Sequence, residues 1–140
     1  MPAFEYQHIV GFEETNLIGN VYYVNHVRWQ GRCREMFLRE KAPEVLPLLE
    51  EGLVLATTRC SCEYHDELKA LDTVIIRMRL HQAIQNRLQL RFEYWRQEDT
   101  GETLVATGEQ EIACMMRQTD GTRPTEIPAA LRTALTPYQP

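Results

Sequence analysis

The sequence has one serine, two lysines and no long hydrophobic run. Ser61 lies between two cysteines on a predicted strand, and no GxSxG elbow is present, so a serine hydrolase is excluded. No apolar segment approaches the roughly 20 residues that cross a bilayer. The first residues form neither a basic nor an apolar export segment. We therefore expect a cytoplasmic protein with no membrane partner.

The composition indicates one globular domain over residues 1–140, since 44% of the residues are hydrophobic and 25% are charged. The net charge of -5 argues against a nucleic-acid partner, because such proteins need positive charge to displace counterions from phosphate. Four arginines nevertheless fall close together, either as a basic patch for an acidic partner or as a solvated helix face. They are Arg28, Arg32, Arg34 and Arg39.

The four cysteines lack the paired spacing of a zinc site, so we expect no metal. We predict buried free thiols, with Cys60 and Cys62 on one face of a strand. Cys33 as a nucleophile would need a histidine positioned beside it, and no histidine spacing indicates one. Phosphate loops, dinucleotide fingerprints and HExxH are also missing, so no cofactor is expected.

The hydrophobic pattern predicts a strand, a long helix and then four strands. This order gives an α+β fold in which one long central helix packs on a five-stranded antiparallel sheet. Asn25 is the predicted helix cap, Gly31 the predicted point of close packing on the sheet, and Gly108 a predicted bulge. The predicted ranges are a strand over 4–10, a loop over 11–19, a helix from 25 to about 41, a further turn over 44–51, strands over 53–64, 74–81, 87–94 and 103–118, a closing turn at 120–121 and a short helix over 128–135.

Arg34 falls on the same stripe of the predicted helix as Val27, Gly31 and Leu38. Gln30, one turn earlier, shares that side, so two polar side chains are predicted to enter the core. A buried guanidinium is costly unless its donors are satisfied, which makes Arg34 a site candidate. The alternative is structural: Arg34 reaches past the helix edge, or pairs with Glu14 or Glu35.

The loop before the helix ends where backbone N–H groups converge at a helix N-terminus, a place that suits an anionic or carbonyl oxygen. The alternative is a plain turn in which Asn16 and Asn20 act as local caps.

The run from Phe12 to Gln30, FEETNLIGNVYYVNHVRWQ, resembles the signature of hotdog-fold acyl thioesterases of the 4-hydroxybenzoyl-CoA thioesterase type. More narrowly, EETN, GNVYYVN, RWQGRCRE and the later CSCEY resemble the thioesterases associated with iterative enediyne polyketide synthases. Many members of the broad family carry a catalytic aspartate where this chain has Asn16, and a glutamate where it has Gln30. The enediyne branch is similar to this chain at both positions.

The resemblance implies hydrolysis of a polyene β-ketoacyl or 3-hydroxyacyl thioester carried by the acyl-carrier domain of such a synthase. It implies that Asn16 and Arg34 are the catalytic pair, with an oxyanion site near Gly19 and the helix start. It also implies a dimer, or a dimer of dimers, joined at sheet edges with sites at the subunit interface. The wall of the acyl tunnel is predicted to include Leu17, Ile18, Tyr22 and the strand from Leu53. Thr57 is predicted to make a polar contact, and Asn25 is a further predicted binding residue. The alternative for most of these residues is that they belong to the core.

Two other functions remain as alternatives, and the missing carboxylates favour the first of them. A hotdog domain without activity would hold the acyl group but not release it. A hotdog dehydratase would use a histidine and a carboxylate, and His26 is present in a position where tyrosine is common, although the histidine loop motif of dehydratases is missing.

Overall fold

Alternating apolar and polar side chains form the strands of one antiparallel sheet, which we describe from a computed structural model over residues 2–140. The predicted α+β architecture is confirmed. Its elements are β1 (Phe4–Ile9), α1 (Val24–Lys41), α2 (Val45–Glu50), β2 (Leu53–Tyr64), β3 (Thr73–Ile84), β4 (Arg87–Glu98), β5 (Gly101–Gln118), β6 (Gly121–Pro124) and α3 (Ala129–Leu135). None of the helices in this part of the chain is both long and apolar enough to cross a membrane.

The strands follow the order β1-β3-β4-β5-β2, so β1 and β2 form the two edges. We expected the sheet to finish at the turn after β5. Instead, the chain turns at 119–120 and forms a short sixth strand, β6, which pairs with the end of β5. The sheet therefore has six strands, not five. The β4–β5 turn is tight, with Gly101 at a φ of +149° that a side chain rarely adopts.

Helix α1 covers one face of the sheet. Its buried residues Trp29, Cys33 and Phe37 share one stripe and pack on inward-facing strand residues such as Ile76 and Met78. The helix starts at Val24 with Tyr23 as its cap residue, so the prediction that Asn25 caps it was wrong. Ala42 ends it before Pro43, as predicted.

The close approach of α1 and the sheet occurs at Gly108, not at Gly31. A Cβ on Gly31 would meet nothing within 4 Å, so nothing in the chain explains this helical glycine. A Cβ on Gly108 would overlap Nε2 of Gln30 and lie 2.9 Å from the carbonyl oxygen of Ser61. Gly108 pairs in register with Cys62 and Phe92, so the predicted bulge is also wrong.

All four cysteines are free. Cys33 and Cys114 are buried as predicted, whereas Cys60 is exposed on the edge strand β2, so the prediction of burial was wrong there. Burial strongly raises the pKa of Cys33, which keeps it a neutral thiol. This supports the exclusion of Cys33 as a nucleophile.

Candidate active site

The loop before α1 folds as a local turn around Asn16. Its side-chain Oδ1 accepts a hydrogen bond from the N–H of Ile18 at 3.1 Å, and its carbonyl accepts one from Gly19 at 3.0 Å. Gly19 has a φ of +93°, which only glycine adopts readily. The turn places the Asn16 side chain on the surface, and the amide of Gly19 is already in use. The amides of Val21, Tyr22 and Asn25 also donate to backbone carbonyls, so none of these three is a free oxyanion donor in the single chain.

Glu14 fixes this loop to the rest of the protein. Its Oε1 accepts from the N–H of Gly11 at 2.9 Å and lies 2.7 Å from Nε2 of His8, while Oε2 accepts from Nε1 of Trp29 at 2.8 Å. Burial alone would raise the pKa of Glu14, but these hydrogen bonds and the neighbouring His8 lower it overall. Glu14 is therefore an ionised residue that holds the loop in place. It is poorly suited to act as a general base, because both of its carboxylate oxygens already accept hydrogen bonds.

Asn25, predicted to bind substrate, contacts the same loop. Its side chain is buried, and Nδ2 donates to the carbonyl of Glu14 at 2.9 Å. The N–H of Tyr22 donates to the same carbonyl at 2.9 Å. Asn25 thus holds the loop against the first turn of α1.

A chain of hydrogen bonds crosses the space between α1 and the sheet. Nε2 of Gln30 donates to the carbonyl of Ser61 at 2.9 Å, and Nε2 of Gln110 donates to Oε1 of Gln30 at 3.2 Å. Nη1 of Arg34 then donates to Oε1 of Gln110 at 3.2 Å and to Oγ1 of Thr57 at 2.9 Å. Gln30 is buried as predicted, whereas Arg34 is only partly buried, so the prediction that both enter the core is confirmed for Gln30 and only in part for Arg34.

Arg34 has only neutral hydrogen-bond acceptors in the described chain. Glu14 contacts His8 and Trp29 instead, and Glu35 pairs with Arg32 at 3.2 Å, so the alternative in which Arg34 pairs with either glutamate is wrong. Burial lowers the pKa of Arg34, and the charge of Glu35 opposes this. Arg34 is therefore a partly dehydrated cation that forms no ion pair with a carboxylate among the described residues, and such a cation suits developing negative charge.

The predicted tunnel residues of the loop form an open surface in the single chain. Leu17 is fully and Ile18 largely solvent-exposed, and Tyr22 is about half-exposed with its ring centroid 4.8 Å from that of Tyr23. The alternative reading, in which Leu17, Ile18 and Tyr22 are core residues, is therefore wrong. No hydrogen bond joins Asn16 to Arg34 within residues 2–140.

His26 is buried among aromatic rings, 4.7 Å from Tyr64 and 5.2 Å from Trp29 between centroids. Burial lowers the pKa of His26 to about 4, opposed only in part by the carbonyl of Tyr23. The imidazole is neutral near pH 7 and packs as part of the wall beside α1.

Sequence reasoning missed Gln110 and the role of Gly108. The alternation along β5 could have revealed both residues. Gly108 and Gln110 lie on the inward face of this strand with Ala106, Ile112 and Cys114, where a glutamine and a glycine are unexpected. A polar inward residue facing Gln30 and Arg34 indicates a network, and a glycine indicates close approach.

Comparisons with known proteins agree with this geometry. The model of the Thioesterase-like superfamily matches residues 10–135. Crystal structures of the dynemicin thioesterase, which describe induced-fit and allosteric effects upon polyene binding, superpose with a TM-score of 0.96 at 42% identity, covering 99% of both chains. A search of curated protein sequences gave no significant match.

More distant structures share the fold. A variant of 4-hydroxybenzoyl-CoA thioesterase bound to 4-hydroxybenzoyl-CoA gives a TM-score of 0.84 at 19% identity, over 95% of this chain and 98% of the other. A 1,4-dihydroxy-2-naphthoyl-CoA thioesterase from Synechocystis gives 0.82 at 17% identity, over 96% of each. The chain therefore belongs to the Thioesterase-like superfamily of hotdog-fold thioester hydrolases, and its sequence is similar to that of an enediyne-associated member.

Proposed function

We propose that this enzyme hydrolyses a polyene β-ketoacyl or 3-hydroxyacyl thioester held by the acyl-carrier domain of an iterative enediyne polyketide synthase, and that it works without a catalytic carboxylate. The observation that carries the proposal is Arg34, a partly dehydrated cation whose hydrogen-bond partners, Thr57 and Gln110, are both neutral. The 42% identity with the dynemicin thioesterase, whose structures concern polyene binding, supports the substrate class.

In the proposed reaction, the oxygen of water attacks the thioester carbonyl, the carbon–sulfur bond breaks, and the departing thiolate takes up the proton that the attacking water loses. Asn16 hydrogen-bonds the water or the carbonyl, and Arg34 stabilises the negative charge of the tetrahedral transition state. Without a general base, the enzyme forgoes about 10²–10⁴-fold in rate, so we expect slow turnover. A β-ketoacyl group is activated by its second carbonyl and suits such a catalyst.

The proposed site is completed by a second copy of the chain. β2 is a sheet edge that carries Thr57 and has a largely exposed outer half. Apolar side chains before and at the start of α1 are also exposed, namely Leu17, Ile18, Tyr22, Tyr23 and Val24. Unpaired edge strands and exposed apolar side chains of this kind need cover. A dimer joined at β2 would bring the loop of one subunit, with Asn16, toward Arg34 of the other.

Mixing inactive variants tests this arrangement. Asn16→Ala and Arg34→Ala subunits, unfolded together and refolded, form mixed dimers in which one site has both residues and the other has neither. We expect each variant alone to be inactive and the mixture to recover part of the parent activity. Recovery would not occur if both residues of a site came from one chain, and a stable monomer by sedimentation would also contradict the model.

The substrate class is tested with matched thioesters of one 3-oxoacyl chain, carried by an acyl-carrier domain or by coenzyme A. We expect a higher kcat/KM for the carrier-bound form. In water enriched with oxygen-18, a single turnover should place the label in the free acid, as direct attack by water requires. A β-keto acid can lose carbon dioxide and leave a methyl ketone, so both products are measured. Release of thiol with neither the labelled acid nor the ketone and labelled carbon dioxide would refute hydrolysis.

A further inference from the structure

Gln110 is a buried polar side chain that lies against the proposed catalytic cation. It is on β5, and its partners in register are Cys60 on the edge strand β2 and Leu90 on β4, so a neighbouring strand supports it on each side. Thr57, the other acceptor of Arg34, is exposed on the edge strand. Gln110 is therefore the more firmly held of the two acceptors.

The two ends of the hydrogen-bond chain fix the orientation of the amides between them. The carbonyl of Ser61 can only accept, so the NH2 group of Gln30 faces it, and Oε1 of Gln30 faces Gln110. Gln110 then presents its NH2 group to Gln30 and its Oε1 to Arg34, whose guanidinium can only donate. The chain thus needs one donor and one acceptor at Gln110, and a neutral amide supplies both.

A carboxylate at position 110 would disturb this arrangement in two ways. It would have no donor for Oε1 of Gln30, and it would form an ion pair with Arg34. The amide instead accepts from Nη1 of Arg34 at 3.2 Å and leaves the positive charge of the guanidinium uncompensated. A cation that is held in place but not neutralised is best able to stabilise a negatively charged transition state.

We propose that Gln110 is a positioning residue of the reaction, whose amide orients the guanidinium of Arg34 toward the thioester and leaves its charge free to act on the transition state. The inference rests on the proposed function. It gives a part in catalysis to a strand residue that acts only through Arg34.

Replacing the amide with a carboxyl group of the same shape tests this role. We would measure kcat and KM for 3-oxopalmitoyl pantetheine with the parent, Gln110→Glu and Gln110→Met. Gln7→Glu is the control, because it places the same charge at an exposed position of β1. We expect the kcat of Gln110→Glu to fall about a hundredfold near neutral pH, with little change in KM. Methionine fills a similar space without the amide, so Arg34 stays charged but loses one restraint, and we expect kcat to fall about tenfold.

The pH dependence of kcat separates this role from a structural one. Among the described residues, the titratable groups that face position 110 are Arg34 on α1 and Cys60 on β2, while Glu109 and Glu111 lie on the opposite face of β5. A protonated carboxyl group again offers one donor and one acceptor. The kcat of Gln110→Glu relative to that of Gln7→Glu should therefore rise as the pH falls, whereas a packing defect would leave this ratio constant.

The outcomes distinguish this inference from the proposed function. If the parent is active and Gln110→Glu matches Gln7→Glu near neutral pH, the role of Gln110 is refuted while the proposed function stands. If Gln110→Glu does not fold, Gln110→Met decides, and a kcat equal to that of the parent overturns the inference. If the parent itself releases no thiol, the proposed function and the role of Gln110 in it both fall.

Discussion

Acidification should destabilise this protein through His26. The ring is buried beside Trp29, Tyr64 and Tyr94. Burial lowers its pKa, and the backbone of Tyr23 opposes this only in part. The folded protein therefore holds His26 neutral. Unfolding releases the ring into water, where it takes up a proton at an ordinary pKa.

The magnitude follows from the two pKa values. His26 has a pKa of about 4 in the folded protein and 6.5 in the unfolded chain. Because the folded value is the lower one, the unfolded chain binds the proton first, and stability is lost as the pH falls from about 6.5 to about 4. Each pH unit of that window is worth about 1.4 kcal/mol, so the full loss is about 3 kcal/mol.

Urea denaturation of the parent and of His26→Phe, followed across this pH range at one protein concentration, isolates the effect. Phenylalanine keeps an aromatic ring in the cluster but cannot titrate. Glu14 and Glu93, whose pKa values are lowered in the folded state, also lose their contribution on acidification, but in both proteins alike. The free energy of unfolding should fall about 3 kcal/mol further in the parent. Equal pH dependence in the two proteins would refute the reasoning.

Three further predictions concern the helix–sheet contact, Glu14 and the thiols. Gly108→Ala should lower the free energy of unfolding by about 1–3 kcal/mol, because its methyl group would overlap the side chain of Gln30. Gly31→Ala faces open space and should raise that free energy by up to about 1 kcal/mol. Equal effects of the two variants in urea denaturation would contradict the packing described. Glu14→Gln replaces one carboxylate oxygen with an NH2 group, so a donor such as the N–H of Gly11 or Nε1 of Trp29 loses its acceptor. We expect the free energy of unfolding to fall by about 1–3 kcal/mol and deuterium exchange across residues 11–23 to become faster. Unchanged exchange would show that Glu14 does not hold the loop. In the native state Cys60 should react with a thiol reagent much faster than Cys33, and equal rates would contradict their different burial.

The fold was predictable because one face of β3, β4 and β5 is buried. Alternation along β3 and β4 follows burial residue by residue, and the helical stripe of Trp29, Cys33 and Phe37 marks α1. β6 was missed because four residues that end in proline show no alternation, and it forms only because the turn at 119–120 returns the chain along β5. The helix start was missed because Tyr23 caps it without any side-chain hydrogen bond.

The site was predictable where it depends on a single helix. Gln30 and Arg34 stand out as polar residues on an apolar stripe. In the structure Gln30 is buried, and Arg34, which is partly buried, joins the same hydrogen-bond network. Their partners Thr57 and Gln110 are distant in sequence, and only the pairing of β2 with β5 and the packing of α1 bring them together. How Asn16 relates to Arg34 depends on loop geometry and on a second subunit, which no periodicity encodes.

The most direct test of the account is the rate of free-thiol release from 3-oxopalmitoyl pantetheine by the parent, Asn16→Ala and Arg34→Ala, with folding of each checked by circular dichroism. Asn16 and Arg34 are proposed to act on the transition state, so each variant should lose about a hundredfold or more in kcat. Turnover by Arg34→Ala at the parent rate would contradict the claim that this cation replaces a carboxylate in catalysis.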